Sequence, residues 1–232
     1  MGMELFRASA LPFPPTEYDR QYIDQLIGVL RLYFNQLDSD TPRKAFSYRA
    51  DRIILNTATD PVLTSPTMGQ MQWNPVDKTI DLGMDYGVIQ QIGEETFARV
   101  QNVTGATIPN GTVVGFVGVG AAGTLQVAPY LADGSQPSLY ALGVLTHDLP
   151  DTGELGYCTV FGYVRELDTT GAPVGETWAM GDVLYANPTY AGKFTNVKPT
   201  APDNVVPVAA VLVVDATQGV IFVRPTIDQR VS

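Results

Sequence analysis

The sequence predicts a mainly β fold: an antiparallel β-barrel or sandwich domain, preceded by a β-hairpin and one N-terminal amphipathic, coiled-coil-like helix. Three observations predict it. Only residues 16–38 carry a helical repeat of apolar residues, so no series of helices is present to build a doubly wound sheet. Beyond residue 66, short alternating or apolar runs are separated by turn signals at nearly regular intervals. The 232 residues include 22 Gly and 17 Pro, and 45% are hydrophobic, which is a folded, turn-rich composition.

Residues 1–15 read as an extended N-terminal arm, because Pro12, Pro14 and Pro15 remove amide donors and bias their predecessors away from helix. The predicted oligomerisation helix spans 16–38. Thr16 can cap it, with Asp19 three residues later as an acidic variant of the capping box, and Glu17 and Asp19 suit its positive end. Ile23, Leu26, Leu30, Tyr33 and Leu37 recur at spacings of 3, 4, 3 and 4, which is a heptad rule. Ile27 and Phe34 widen this seam on one flank. So broad a seam fits a trimer or higher bundle, or a helix lying on another protein; the alternative is an ordinary amphipathic helix packed on its own β domain. About three heptads are marginal alone and need help from a second interface.

Residues 39–66 lose regular pattern and read as an irregular linker. Arg43, Lys44, Arg49 and Arg52 are its only basic cluster, and Ile53–Leu55 is a candidate short strand. Residues 67–95 hold the predicted β-hairpin and a connector: Met71 and Trp73 alternate before a turn-forming Asn74–Lys78, and Ile80 and Leu82 alternate after it. A lone hairpin has too few side chains for independent stability, so these four residues are the candidate docking set, against a partner sheet or a symmetry mate.

The barrel or sandwich is predicted over 96–225, with 226–232 a polar C-terminal tail. Candidate strands are 97–100, 112–119, 125–128, 139–146, 156–165, 177–185, 192–196, 205–214 and 220–224, with Asn110-Gly111 and Gly181-Asp182 marking turns.

Little in the sequence points to catalysis. His147 is the only histidine and Cys158 the only cysteine; the first reads as a turn or surface residue and the second as a buried thiol. GFVGVGAAG (115–123) lacks the order of a phosphate loop and has no helix after it. Asp148, Asp151, Glu154, Glu166, Asp168 and Asp182 have no spacing that fixes a glycosidase-like pair. The expectation is therefore no enzyme, no catalytic or metal-binding residue and no cofactor. Tyr130, Tyr140, Tyr163, Trp178, Tyr185 and Tyr190 could line a weak glycan-contact surface, though core packing explains them as economically. A net charge of −10 argues against gripping nucleic acid or an anionic membrane. No uncharged apolar run of 18 residues is long enough to cross a bilayer, and the N-terminal residues lack a secretion signal's apolar core. With only 16% charged residues, the chain fits one that spends part of its surface on neighbours.

The helix YIDQLIGVLRLYFNQLDSD, the hairpin GQMQWNPVDKTIDLGM and the stretch GVIQQIGEETFARVQNVTGATIPNGTVVGF together resemble virion structural proteins of tailed bacteriophages, especially minor structural or fibre-like components. The later ALGVLTHDLPDTGELGYCTVFGYVRELDTT, GDVLYANPTYAGKFT and VPVAAVLVV are similar in organisation to small β domains that decorate or cement phage heads. The resemblance covers most of residues 16–224 and lies in the order of segments more than in any one motif. It implies a noncatalytic, homotrimeric virion-surface protein assembled in the host cytoplasm. Its partners would be copies of itself and either the major capsid protein, as head decoration or short head fibre, or tail adaptor proteins, as a fibre base with host-glycan contact.

Overall fold

The computed structural model describes residues 16–17, 19–38, 51–55, 65–150 and 153–226. The predicted arm 1–15, most of the linker, Asp151 and residues 227–232 of the tail lie outside them, as do Arg43, Lys44 and Arg49. Two compact units are present, Met1–Ile54 and Leu55–Ser232.

Among the described residues of the first unit, helix α1 runs Arg20–Asp38. Its start is later than the sequence predicts, and the cap is Asp19, not Thr16. The Asp19 carboxylate accepts the Gln21 amide at 2.8 Å, and the Asp19 carbonyl takes the first turn's Ile23 amide at 3.2 Å. Of the predicted seam, Ile23, Leu26 and Leu30 are half-buried, while Ile27 and Phe34 are 42% and 56% exposed. The side chains of Tyr33 and Leu37 lie outside the described set. Ile53–Leu55 forms no strand.

Among the described residues, the second unit consists of β-strands joined by turns and four short 3-10 segments. A small antiparallel sheet comes first: β1 (Met71–Asn74), β2 (Thr79–Gly83) and β3 (Ile89–Ile92), in that order. The predicted hairpin is β1–β2, and β3 is an addition the sequence reading left in the connector. Nine strands follow: β4 (Thr96–Asn102), β5 (Val113–Val119), β6 (Leu125–Pro129), β7 (Ala141–Leu145), β8 (Leu155–Leu167), β9 (Val183–Ala186), β10 (Phe194–Thr195), β11 (Pro207–Val213) and β12 (Gly219–Val223). Hydrogen bonding runs β8–β4–β6–β5–β7, and β7 returns to β8, closing a five-stranded barrel. All these pairs are antiparallel except β4–β6, which is parallel because β5 crosses between them. From the other half of β8 a sheet extends as β8–β12–β11–β9–β10.

Alternation along the strands sorts the apolar residues into two cores. Val100, Val114, Val127, Leu145 and Cys158 belong to one, with Ile108 and Leu149. The neighbouring residues Val113 and Val144 belong to the other, with Val164, Leu184, Val211, Ile221 and Val223 of the extended sheet. The successive strand positions 113/114 and 144/145 thus show the two faces of the barrel wall, one filling the barrel and one meeting the sheet. β8 serves both cores, and Gly162 is where it changes partner. Its φ is +121°, and a Cβ there would lie 2.7 Å from the Glu94 carbonyl. Only glycine fits both demands.

Candidate interaction surface

The small sheet has two unlike faces. Its register sets Met71 opposite Leu82, Trp73 opposite Ile80 and Ile80 opposite Ile92, with Gln90 beside Leu82. These six side chains share one face, so the predicted docking set Met71, Trp73, Ile80 and Leu82 does converge, with Ile92 added. The other face carries Asn74, Thr79, Asp81 and Gln91.

Burial is reversed from the ordinary pattern. Thr79, Asp81 and Gln91 are buried at 7–8% exposure, whereas Met71 and Ile92 are 52% and 44% exposed and Trp73, Ile80 and Leu82 are half-buried. The polar face is the one turned inward.

A hydrogen-bond network makes that burial affordable in physical terms. Asn74 Oδ1 accepts the amides of Val76 and Asp77 at 2.9 and 3.1 Å, forming the turn, and its Nδ2 donates to Asp77 at 2.9 Å and Asp81 at 3.1 Å. Gln91 Nε2 donates to Asp77 at 2.7 Å. From β8, Arg165 then reaches across: Nη2 donates to Gln91 Oε1 at 2.9 Å and Nη1 to Glu95 Oε1 at 2.8 Å. Burial pushes the Glu95 and Asp81 carboxyls above their ordinary range; Arg165 opposes this at Glu95, and Asn74 opposes it at Asp81. Arg165 is therefore the bolt between small sheet and barrel.

A second fastening lies at the β2–β3 turn. Tyr86, at φ +59°, stacks on His147 with ring centroids 5.5 Å apart and planes 5° from parallel, and its hydroxyl donates to Glu154 at 3.5 Å. His147 Nε2 accepts the Tyr157 amide at 3.1 Å. Nδ1 must then carry the proton and donate to the Asp148 carbonyl at 2.8 Å, which assigns a neutral tautomer. Burial holds the imidazole below its ordinary pKa. Both ring nitrogens are thus occupied by the backbone, which leaves neither for proton transfer.

The other residues that sequence reading weighed for chemistry are spread through the fold. Cys158 is fully buried, and burial pushes its thiol up to about 12. Residues 115–123 form part of β5 and the turn after it. Asp168 and Asp182 cap turns, at Thr170 and Ala179, and Glu166 lies at φ +61° in β8. Two of the six aromatics considered for glycan contact are core residues: Tyr130 is 1% and Trp178 7% exposed, with the indole N–H spent on Glu176. This removes them from any surface platform. Among the described residues no group of three or more His, Cys, Asp or Glu is arranged to hold a metal, and no helix is long and apolar enough to cross a membrane. A groove of about 330 Å³ beside β7 is lined by Leu139, Ala141, Leu142, Val160, Val206 and Pro225 and holds no ionisable side chain.

Sequence reasoning missed Arg165, Glu95 and Gln91, because Arg165 lies 70 and 74 residues along the chain from Glu95 and Gln91 and shares no local pattern with them. Met71 and Trp73 it found by period-two alternation alone. No family model matches the chain, and neither a curated protein nor a solved structure matches it.

Proposed function

We propose that the chain is a noncatalytic structural protein of a tailed-phage virion, a homotrimer that binds the capsid surface as a head decoration, cement or short head-fibre protein. The observation that carries the structural role is the reversed small sheet: an apolar face of Met71, Trp73, Ile80, Leu82 and Ile92 points outward while the polar face is bolted to the barrel. Apolar area left in water on a hydrogen-bonded sheet marks a surface built for contact. The helical stripe of Ile23, Leu26, Ile27 and Leu30 supports self-association, as a short clasp setting copy number. The virion assignment rests on the ordered resemblance of the sequence segments. Multivalent attachment would make weak contacts effectively intramolecular once the first has formed.

The test is a density map of purified particles together with sedimentation of the isolated chain. The expected result is three-fold copies on the capsid surface and a trimer in solution, reduced by Leu26→Asp with Leu30→Asp. Copies at the tail instead would favour the second reading, a tail adaptor or fibre base, for which the exposed Tyr190 leaves a point of glycan contact. A particle that lacks the chain would overturn the virion assignment.

A further inference from the structure

The small sheet is carried on the barrel without a share in either hydrophobic core: among the described residues, both cores draw only on positions from Ala98 onward. Its inward face is polar, and it is fastened at its two ends. At one end Arg165 holds Gln91 and Glu95, beside the turn at Gly93, whose φ is +97°. At the other, Tyr86 stacks on His147. The four residues of β3 lie between the two fastenings, roughly 13 Å of strand.

The two ends answer acid in opposite senses. The His147 ring is seated against Gly156, where even a Cβ would lie 2.6 Å from Nε2; Nε2 accepts the Tyr157 amide at 3.1 Å, and Nδ1 donates to the Asp148 carbonyl. A proton on Nε2 would point at that N–H, so the imidazolium has no place in this seat and must leave it. Its departure removes the ring on which Tyr86 rests and leaves the Tyr86 hydroxyl only its 3.5 Å contact with Glu154. The charges around this corner are Asp148 on the ring's own loop, Asp85 beside Tyr86, Glu154 before β8, and Arg99 on β4 opposite Tyr157. Carboxylates outnumber the guanidinium there, which favours an imidazolium released to the rim. Burial, which holds the ring below 6.5, disfavours charge in the seat itself. At the other end burial raises Glu95 and Asp81, so their protonation suits the buried position, and a neutral Glu95 still accepts from Arg165 through its carbonyl oxygen. That end holds as pH falls.

We propose that Tyr86 and His147 form an acid-released latch: protonation of His147 expels its ring from the Gly156 seat, frees the Tyr86 corner and lets the small sheet pivot on its Arg165 end, so that the aim of its Met71, Trp73 and Ile80 face depends on pH. The latch follows from how the sheet is fastened and stands apart from the virion assignment. A released ring takes its proton at the ordinary 6.5, so lowering the pH to about 5 multiplies the opening constant by roughly ten to thirty, the upper figure holding when the seated ring takes no proton at all.

Cysteine accessibility in the full-length chain measures the opening. Cys158 is the only cysteine and is buried, so an introduced thiol is labelled alone. Val88→Cys sets one beside the latch, at a position 6% exposed directly after the Asp85–Gly87 turn. Thr79→Cys sets one at the pinned end, at a position 8% exposed beside the Ile92 carbonyl. Labelling by a pyridyl disulfide, which reacts at acid pH, is divided by the rate of the same variant unfolded in guanidinium at each pH. From about pH 7.5 to about pH 5 the opening constant at Val88→Cys should rise roughly ten- to thirtyfold, that at Thr79→Cys should change less than about twofold, and circular dichroism should stay the same. His147→Gln keeps an acceptor for the Tyr157 amide and takes no proton, so it should abolish the rise. An equal rise at both positions means that the sheet detaches, and overturns the pivot. A rise that survives in His147→Gln overturns the latch. Because His147 is the only histidine, its ring resonance reads protonation without any change at that position: complete titration with Val88→Cys still closed overturns the latch as well.

Discussion

Replacing Arg165 with methionine isolates what the bolt between small sheet and barrel contributes. The Glu95 side chain is 3% exposed, and without Arg165 its carboxylate keeps only a long contact at 3.4 Å from the Gln91 amide. Breaking a buried pair on one side costs about 3–5 kcal/mol, but the Arg165 side chain is 43% exposed, so water screens the pair and the loss is discounted to about 2 kcal/mol. Glu95→Gln removes the charge that burial penalises and leaves Arg165 partly hydrated, so its cost is smaller, about 1 kcal/mol. For a unit of this size about 2 kcal/mol corresponds to roughly 4–8 °C in Tm. The sign of the pH dependence is the stricter test. Burial already raises Glu95 above its ordinary value of 4.5, and loss of Arg165 raises it further. A carboxyl raised in the folded state favours folding most below its unfolded pKa and loses that advantage as pH rises through the folded one. The Arg165→Met deficit should therefore be largest at neutral pH and narrow as pH falls toward 4.5. Urea denaturation of both variants between pH 4.5 and 7.5 measures it. A deficit independent of pH, or an Arg165→Met milder than Glu95→Gln, would refute the reasoning.

Three further outcomes follow from the geometry. Cys158, held up to about 12 by burial, should not react with a thiol reagent at pH 8 in the folded chain and should react fully in guanidinium; one equivalent of fast labelling in the native state would contradict its burial. Gly143→Ala would set a Cβ 2.3 Å from the Thr159 carbonyl, a backbone atom on the strand that closes the barrel, and should cost about 3 kcal/mol, read as a lowered urea midpoint. His147 is depressed below 6.5, so the unfolded chain binds its proton first and stability should fall as pH drops from 6.5 through the folded-state value; His147→Gln should flatten that slope, and an unchanged slope would place the titration elsewhere.

Much of the architecture was legible because strands obey local rules. Asn110-Gly111 announces a turn, and Gly111 does lie at φ +74°; Val113–Val119 and Gly219–Val223 fall within a residue or so of their expected places. The candidate strand 177–185 begins only at Val183: residues 177–180 lead into the turn that Gly181-Asp182 mark, where the Asp182 carboxylate accepts the Ala179 amide and fixes the bend. The parallel β4–β6 pairing and the closure through β8 depend on which strands meet after long excursions, and no dipeptide or period encodes that. The interaction surface divides the same way. Alternation placed Met71, Trp73, Ile80 and Leu82 together, but only the position of Arg165 decides which side of the sheet faces out.

One strand contributes to both hydrophobic cores. Cys158, in the first half of β8, lines the barrel, and Val164 and Leu167, in the second half, join the layer between barrel and extended sheet. Neither core can melt while the other keeps this strand in place. Heat or denaturant should thus take Leu55–Ser232 apart in one cooperative step, with β8 amides exchanging hydrogen only through complete opening, and a load applied to the outer sheet would be passed along β8 into the barrel.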